Sequence, residues 1–168
     1  LGNLDCRLLT SFKTPYTGVD TGRGTMFTIK ASESIEMLTM EFEAFQQASD
    51  LSVQVYYRQG EFSGATNDPD QWTQLADAVA QRAPDARGAI IPTSDFIPTQ
   101  LFAGEIYSLY LHFQTSSVCK LKGSSELIGS EADFDDVLQI QVGVTLDDGP
   151  FPEQFSGASE FSGMIHYS

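Results

Sequence analysis

At 168 residues, 41% of them hydrophobic, the chain has apolar material for one sizeable core and is expected to be a single domain over 1–168. Its 23 acidic against 9 basic residues give a formal charge of −14, which repels nucleic acid and anionic membrane surfaces. No run approaches the roughly 20 apolar residues of a membrane-spanning helix, so no membrane insertion is expected.

In chain order, residues 1–24 read as an N-terminal edge strand near Arg7 to Phe12, followed by a loop rich in Gly and Pro. The chain starts at Leu1 without an initiator methionine or a leader pattern, as expected of a segment excised from something longer. Met26-Phe27-Thr28-Ile29 is a strand and Ser32-Glu33-Ser34 a turn. Over 35–45, Leu38, Met40, Phe42 and Ala44 alternate with Thr39, Glu41 and Glu43, which predicts a strand with an acidic face opposite an apolar one. Helix propensity competes there, but the period of two is the stronger signal.

Residues 51–75 are the most legible stretch. Leu51, Val53, Val55 and Tyr57 alternate with Ser52, Gln54, Tyr56 and Arg58; Gly60, Gly64 and the Asn67-Asp68-Pro69-Asp70 cluster then form a loop, and Trp72 and Leu75 begin a returning strand. The alanine-rich run after it is expected to extend that strand and turn near Pro84. Ile90-Ile91-Pro92 and Phe96-Ile97-Pro98 belong at edges or strand starts, because proline cannot donate to a ladder. Residues 105–115 form the second clear strand, with Tyr107, Leu109, Leu111 and Phe113 on one face and Ile106, Tyr110 and His112 on the other. A strand over 118–128, an acidic loop over 131–136, a strand over 137–146, a turn at Asp147-Asp148-Gly149-Pro150 and a final strand through Phe161, Ile165 and Tyr167 complete the chain. Eight to ten short strands predict an all-β fold, an antiparallel β-sandwich of jelly-roll type.

The string Val53-x-Val55-Tyr56-Tyr57-x-x-Gly60-x-x-x-Gly64, then Trp72-x-x-Leu75, preceded by Gly24-x-Met26-Phe27 and closed by Gly163-x-Ile165-x-Tyr167, resembles secreted β-sandwich modules of microbial and algal cell-surface multidomain proteins. The resemblance spans about 24–167 and rests on core and turn residues. It implies an extracellular or cell-surface location and no catalytic residue.

Two cysteines, Cys6 and Cys119, are far enough apart that a disulfide between them would stabilise by roughly 4–5 kcal/mol in the chain-entropy model; two buried thiols are the other reading. Calcium favours oxygen-rich loops, which singles out Asp133, Asp135 and Asp136, then Asp147 and Asp148, against the alternative of a solvated acidic loop. No cofactor is required, and a structural calcium is the one candidate. Tyr56, Trp72 and Tyr110 are the candidate rings for stacking on a sugar, against the alternative that they fill the core. His112 and His166 read as surface residues without a triad pattern, and no Gly-x-Ser-x-Gly occurs, so no enzyme is expected. The expected function is a non-catalytic structural or adhesion module that contacts surface or matrix proteins, or copies of itself, within a larger surface or filament assembly. The alternative is a carbohydrate-binding module, with or without calcium, whose partners are glycans.

Overall fold

A computed structural model describes residues 10–84, 87–115 and 118–168. In chain order the strands are β1 (Thr10–Lys13), β2 (Asp20–Gly22), β3 (Gly24–Ala31), β4 (Ile35–Glu43), β5 (Ser52–Gln59), β6 (Thr73–Val79), β7 (Gln81–Arg82) and β8 (Gly88–Ile90). They continue with β9 (Thr99–Leu101), β10 (Ile106–Phe113), β11 (Cys119–Gly123), β12 (Glu131–Phe134), β13 (Leu138–Gln141), β14 (Gly143–Leu146), β15 (Gly157–Glu160) and β16 (Gly163–Tyr167). Two single-turn 3-10 segments, Pro69–Gln71 and Thr93–Asp95, are the helical elements among the described residues. The fold is an all-β, antiparallel sandwich, as the alternating patterns predict.

The smaller sheet has the order β1-β16-β4-β8-β7, with β9 on the first half of β4. The larger runs β2-β11-β15-β14-β3-β10-β5-β6. It forks at β3: Val144 of β14 lies opposite Met26, while Ile140 of β13 lies opposite Ile29, and β12 adds to the far side of β13. The predicted single strand over 137–146 is thus two strands, separated at Val142 and both paired to β3.

Between the sheets, the inward residues of β4 (Met37, Met40, Phe42) meet those of β10 (Leu109, Leu111, Phe113) and β5 (Val53, Val55), all buried. Phe27 stacks on Phe161 at 4.6 Å between ring centres, and Phe42 meets Phe113 edge-on at 4.9 Å, the two arrangements that aromatic quadrupoles favour. The pairing of β16 with β4 shifts register between His166 and Tyr167, so β4 turns Ile35 and Met37, then Met40 and Phe42, to the core. Leu38, expected in that row, is the residue the irregularity displaces to a half-buried position.

Several expectations are corrected. Residues 131–136, read as a loop, contain β12; residues 20–22 within the first loop form β2. The strand expected over 118–128 with a break at Gly123 ends at that break and does not resume over 124–128, and residues 96–98, placed at an edge or strand start, lead into β9. The described residues form sixteen strands against the eight to ten expected: β2, β7, β8 and β9 are two or three residues long and too short to show a period, β12 adds one, and 137–146 divides into two.

The first half of the expected N-terminal strand, and Cys6, lie outside the described residues. Cys119 is a free, fully buried thiol, not part of a disulfide. Burial pushes its pKa far above the ordinary thiol range, and the nearby Glu43 charge adds to the effect. Alkylation with iodoacetamide is therefore expected to leave Cys119 unmodified in the native protein and to modify it in urea, as read by peptide mass mapping. A Cys6–Cys119 disulfide found by the same mapping would contradict the free thiol.

Candidate functional site

The three candidate rings do come together. Residues on neighbouring strands of the larger sheet form one cross-strand row: Val144, Met26, Tyr110 and Tyr56, through the pairs Val144 with Met26, Met26 with Tyr110, and Tyr110 with Tyr56. This row lies on the face turned away from the main core, and two loops cover it. The 60–72 loop returns across β5 by a succession of turns, with Gly60 and Gly64 at positive φ, a conformation that glycine adopts without a Cβ clash. It delivers Phe62, Ala65 and Trp72, whose Nε1 donates to Ala65 O at 2.8 Å. The 147–156 loop delivers Phe151 from the opposite side.

The result is a second apolar cluster. Tyr110 is completely buried; its ring is 5.6 Å from Tyr56, 5.9 Å from Trp72 and 5.2 Å from Phe151 between centres. Phe151 also meets Tyr56 at 5.0 Å. Its backbone N–H donates to the Tyr110 hydroxyl at 3.3 Å, and its φ of 56° is left-handed, where a residue with a bulky Cβ substituent is strained. Burial drives the Tyr110 phenol up to about 12. Trp72 is also buried, so of the three candidates only Tyr56 is part-exposed. Sugar stacking needs an open ring face, and Phe151 occupies the faces that these rings share.

His112, on the same face of β10, is buried rather than at the surface as expected, because the 147–150 turn lies on it. A Cβ on Gly149 would stand 2.0 Å from its Cε1. Desolvation, then the neighbouring Arg23 charge, lower its pKa.

The acidic candidates are dispersed. Asp135 Oδ1 accepts from both Val137 N and Leu138 N at 2.7 Å, and Asp133 Oδ1 accepts from Phe134 N at 2.9 Å, so these carboxylates fix the β12–β13 turn. Asp136, Asp147 and Asp148 are exposed on loops. Among the described residues no group of three or more His, Cys, Asp or Glu side chains is placed to hold a metal ion.

A different set of polar side chains is built with more care. Glu41 and Glu43 lie on the outer face of the smaller sheet, yet both are buried under residues 14–18. The Tyr16 hydroxyl donates to Glu41 Oε1 at 2.6 Å, and Glu41 Oε2 is 3.7 Å from His166 Nε2. Glu43 Oε2 accepts from Ser162 Oγ at 2.5 Å and from Gly18 N at 3.0 Å. Arg87 Nη2 donates to Tyr16 O at 2.7 Å. Gly88 has no side chain because a Cβ there would fall 1.9 Å from Glu41 Oε1. These carboxylates hold the 14–18 segment onto the sheet in a closed site. His166, expected at the surface, is buried beside them. The sequence signal that points to this network is glutamate at alternate positions of a strand, a residue depleted there unless it has partners. The signal for Phe151 is an aromatic held between Pro150 and Pro152 in an otherwise acidic loop.

Compared with known proteins, the chain matches no family model, no curated protein and no solved structure.

Proposed function

We propose that this is a non-catalytic structural or adhesion module of an extracellular or cell-surface assembly, working through contacts made at the β12 edge. The observation that carries this is the setting of that strand. Among the described residues β12 pairs only with β13, which leaves its other edge open, and it carries Phe134 and follows Leu127 and Ile128, with 64%, 82% and 44% of their surface exposed. An open strand edge offers unpaired N–H and C=O groups to an incoming strand, and large exposed apolar side chains beside it supply the burial that holds the strand in place. Phe134 also borders a cavity of about 410 Å³ with Val137 and Leu138, room for a side chain of a partner.

A non-catalytic role is supported by the closure of the Glu41, Glu43 and His166 cluster, whose carboxylates already accept fixed hydrogen bonds. Carbohydrate binding at Tyr56, Trp72 and Tyr110 has less support, since Phe151 fills the space between them. The partner is a second copy of the chain or a neighbouring surface protein. Sedimentation velocity in sugar-free buffer is expected to show concentration-dependent association that Leu127→Asp combined with Phe134→Asp removes. A wild-type chain that stays monomeric at millimolar concentration, and is not retained by extracellular matrix protein, contradicts the proposal.

A further inference from the structure

A second surface feature shares no lining residue with the aromatic cluster or with the cavity beside β12. It is a pocket of about 440 Å³ bounded by the end of β5, the start of β6 with the turn before it, the end of β9 and the start of β10. Its size falls in the range of small-molecule sites, roughly 300–1,000 Å³. Three aromatics line it: Tyr57, Tyr107 and Phe102. Phe102 is 56% exposed at the rim, and its backbone N–H donates to the Tyr107 hydroxyl at 3.0 Å, which fixes the two relative to each other.

Three carboxamides line it as well, each held through its Nε2. Gln59 donates to Glu105 Oε2 at 3.1 Å, Gln71 to Asp68 Oδ2 at 2.9 Å and Gln100 to Ile35 O at 3.0 Å. Each keeps its carbonyl oxygen and second N–H for another group. Arg58 completes the lining: its Nη1 donates to Glu61 O at 2.8 Å, while its Nε is buried with no hydrogen-bond partner among the described residues.

The lining contains no carboxylate, which is unusual in a chain of charge −14. Three other cavities each include at least one: Glu131 and Asp135, Asp133 and Glu160, and Glu61. Carboxamides that donate and accept together match hydroxyl groups, which also do both, and an exposed ring beside them matches the apolar face of a pyranose. We propose that this pocket binds a neutral carbohydrate chain, with Phe102 as the stacking ring, the three glutamines as hydroxyl partners and Arg58 as a donor to a ring or hydroxyl oxygen. This goes beyond the edge-contact role and does not depend on it.

The test is titration of the isotope-labelled chain with cellohexaose, laminarihexaose and mannohexaose, with oligogalacturonate as the acidic counterpart, followed by backbone amide shifts. Shifts confined to 57–59, 71–73 and 100–107 with a neutral oligomer are expected, and Phe102→Ala is expected to weaken binding by about tenfold or more at unchanged melting temperature. Arg58→Lys keeps the charge, loses the planar donor and is expected to weaken binding too. The proposal is overturned if none of the neutral oligomers shifts these amides, if oligogalacturonate binds in preference, or if the Phe102→Ala protein binds as tightly as wild type. Because sedimentation is done without sugar, failure here and failure of the edge-contact role are separate results.

Discussion

Gly143→Ala is expected to destabilise the domain by about 3 kcal/mol or more, a large share of the roughly 5–15 kcal/mol that holds a domain folded. Gly143 opens β14 where the chain passes from β13, on one half of β3, to β14 on the other, and this crossing presses its backbone against β3. A Cβ there would stand 2.0 Å from the Met26 carbonyl oxygen and 2.8 Å from Phe27 Cβ. The obstacle is main chain inside a ladder, not the end of a mobile side chain, so relief requires β14 to part from β3. That would break the Val144–Met26 pairing on which the outer aromatic row begins. Gly157→Ala is the matched comparison: it lies in the neighbouring strand β15 and a Cβ would meet nothing within 4 Å. Urea denaturation of both variants is the measurement. A change below about 1 kcal/mol for Gly143→Ala, or equal changes for the two, would contradict the forked arrangement of β3.

The second large effect is expected at Tyr110. Tyr110→Ala removes a completely buried ring packed against three others and is expected to cost about 3–5 kcal/mol. Tyr110→Phe keeps the ring and removes only the acceptor for Phe151 N–H, for which about 0.5–1.5 kcal/mol is expected. The alanine variant also frees Phe151 from its anchor, so limited proteolysis should cut within 147–156 sooner than in wild type. Trp72 fluorescence reports the same event, because this single tryptophan lies within the cluster. If Tyr110→Ala unfolds at the wild-type urea midpoint, the cluster is not the second core described above.

What was readable in the sequence follows the physics of each segment. β5 and β10 have eight residues each and one or both faces apolar, so their period of two survives intact. The aromatic trio was readable as well, since Tyr56 and Tyr110 fall on the same face of adjacent strands, but its occupant was not. Phe151 arrives from a loop about forty residues beyond Tyr110, and nothing local in that loop announces where it lands. β12 is hard to read because its alternation, Ala132 and Phe134 against Glu131 and Asp133, lasts only four residues within an acidic run; its strand character comes from pairing with β13, with a register shift between Glu131 and Asp133. The buried glutamates were legible as an acidic face and illegible as a buried one. Their donors, Tyr16, Gly18 and Ser162, come from both ends of the chain, and only tertiary structure brings them over β4.

The antiparallel pairing of β1 with β16 sets Thr10 directly opposite Tyr167. Chain entering the sandwich and chain leaving it therefore sit side by side. Tension applied through both would load that four-pair ladder from one end, opening it one rung after another instead of shearing all rungs together. In a string of such units the sandwich would hang beside the line of force, and β1 would peel away under small loads while the main core stayed intact. The hydrogen bonds between Thr14 and Gly163, and the carboxylates holding 14–18, stand immediately behind that ladder as the next point of resistance. Separation started at β1 therefore meets the bonds that hold 14–18 before it reaches the main core.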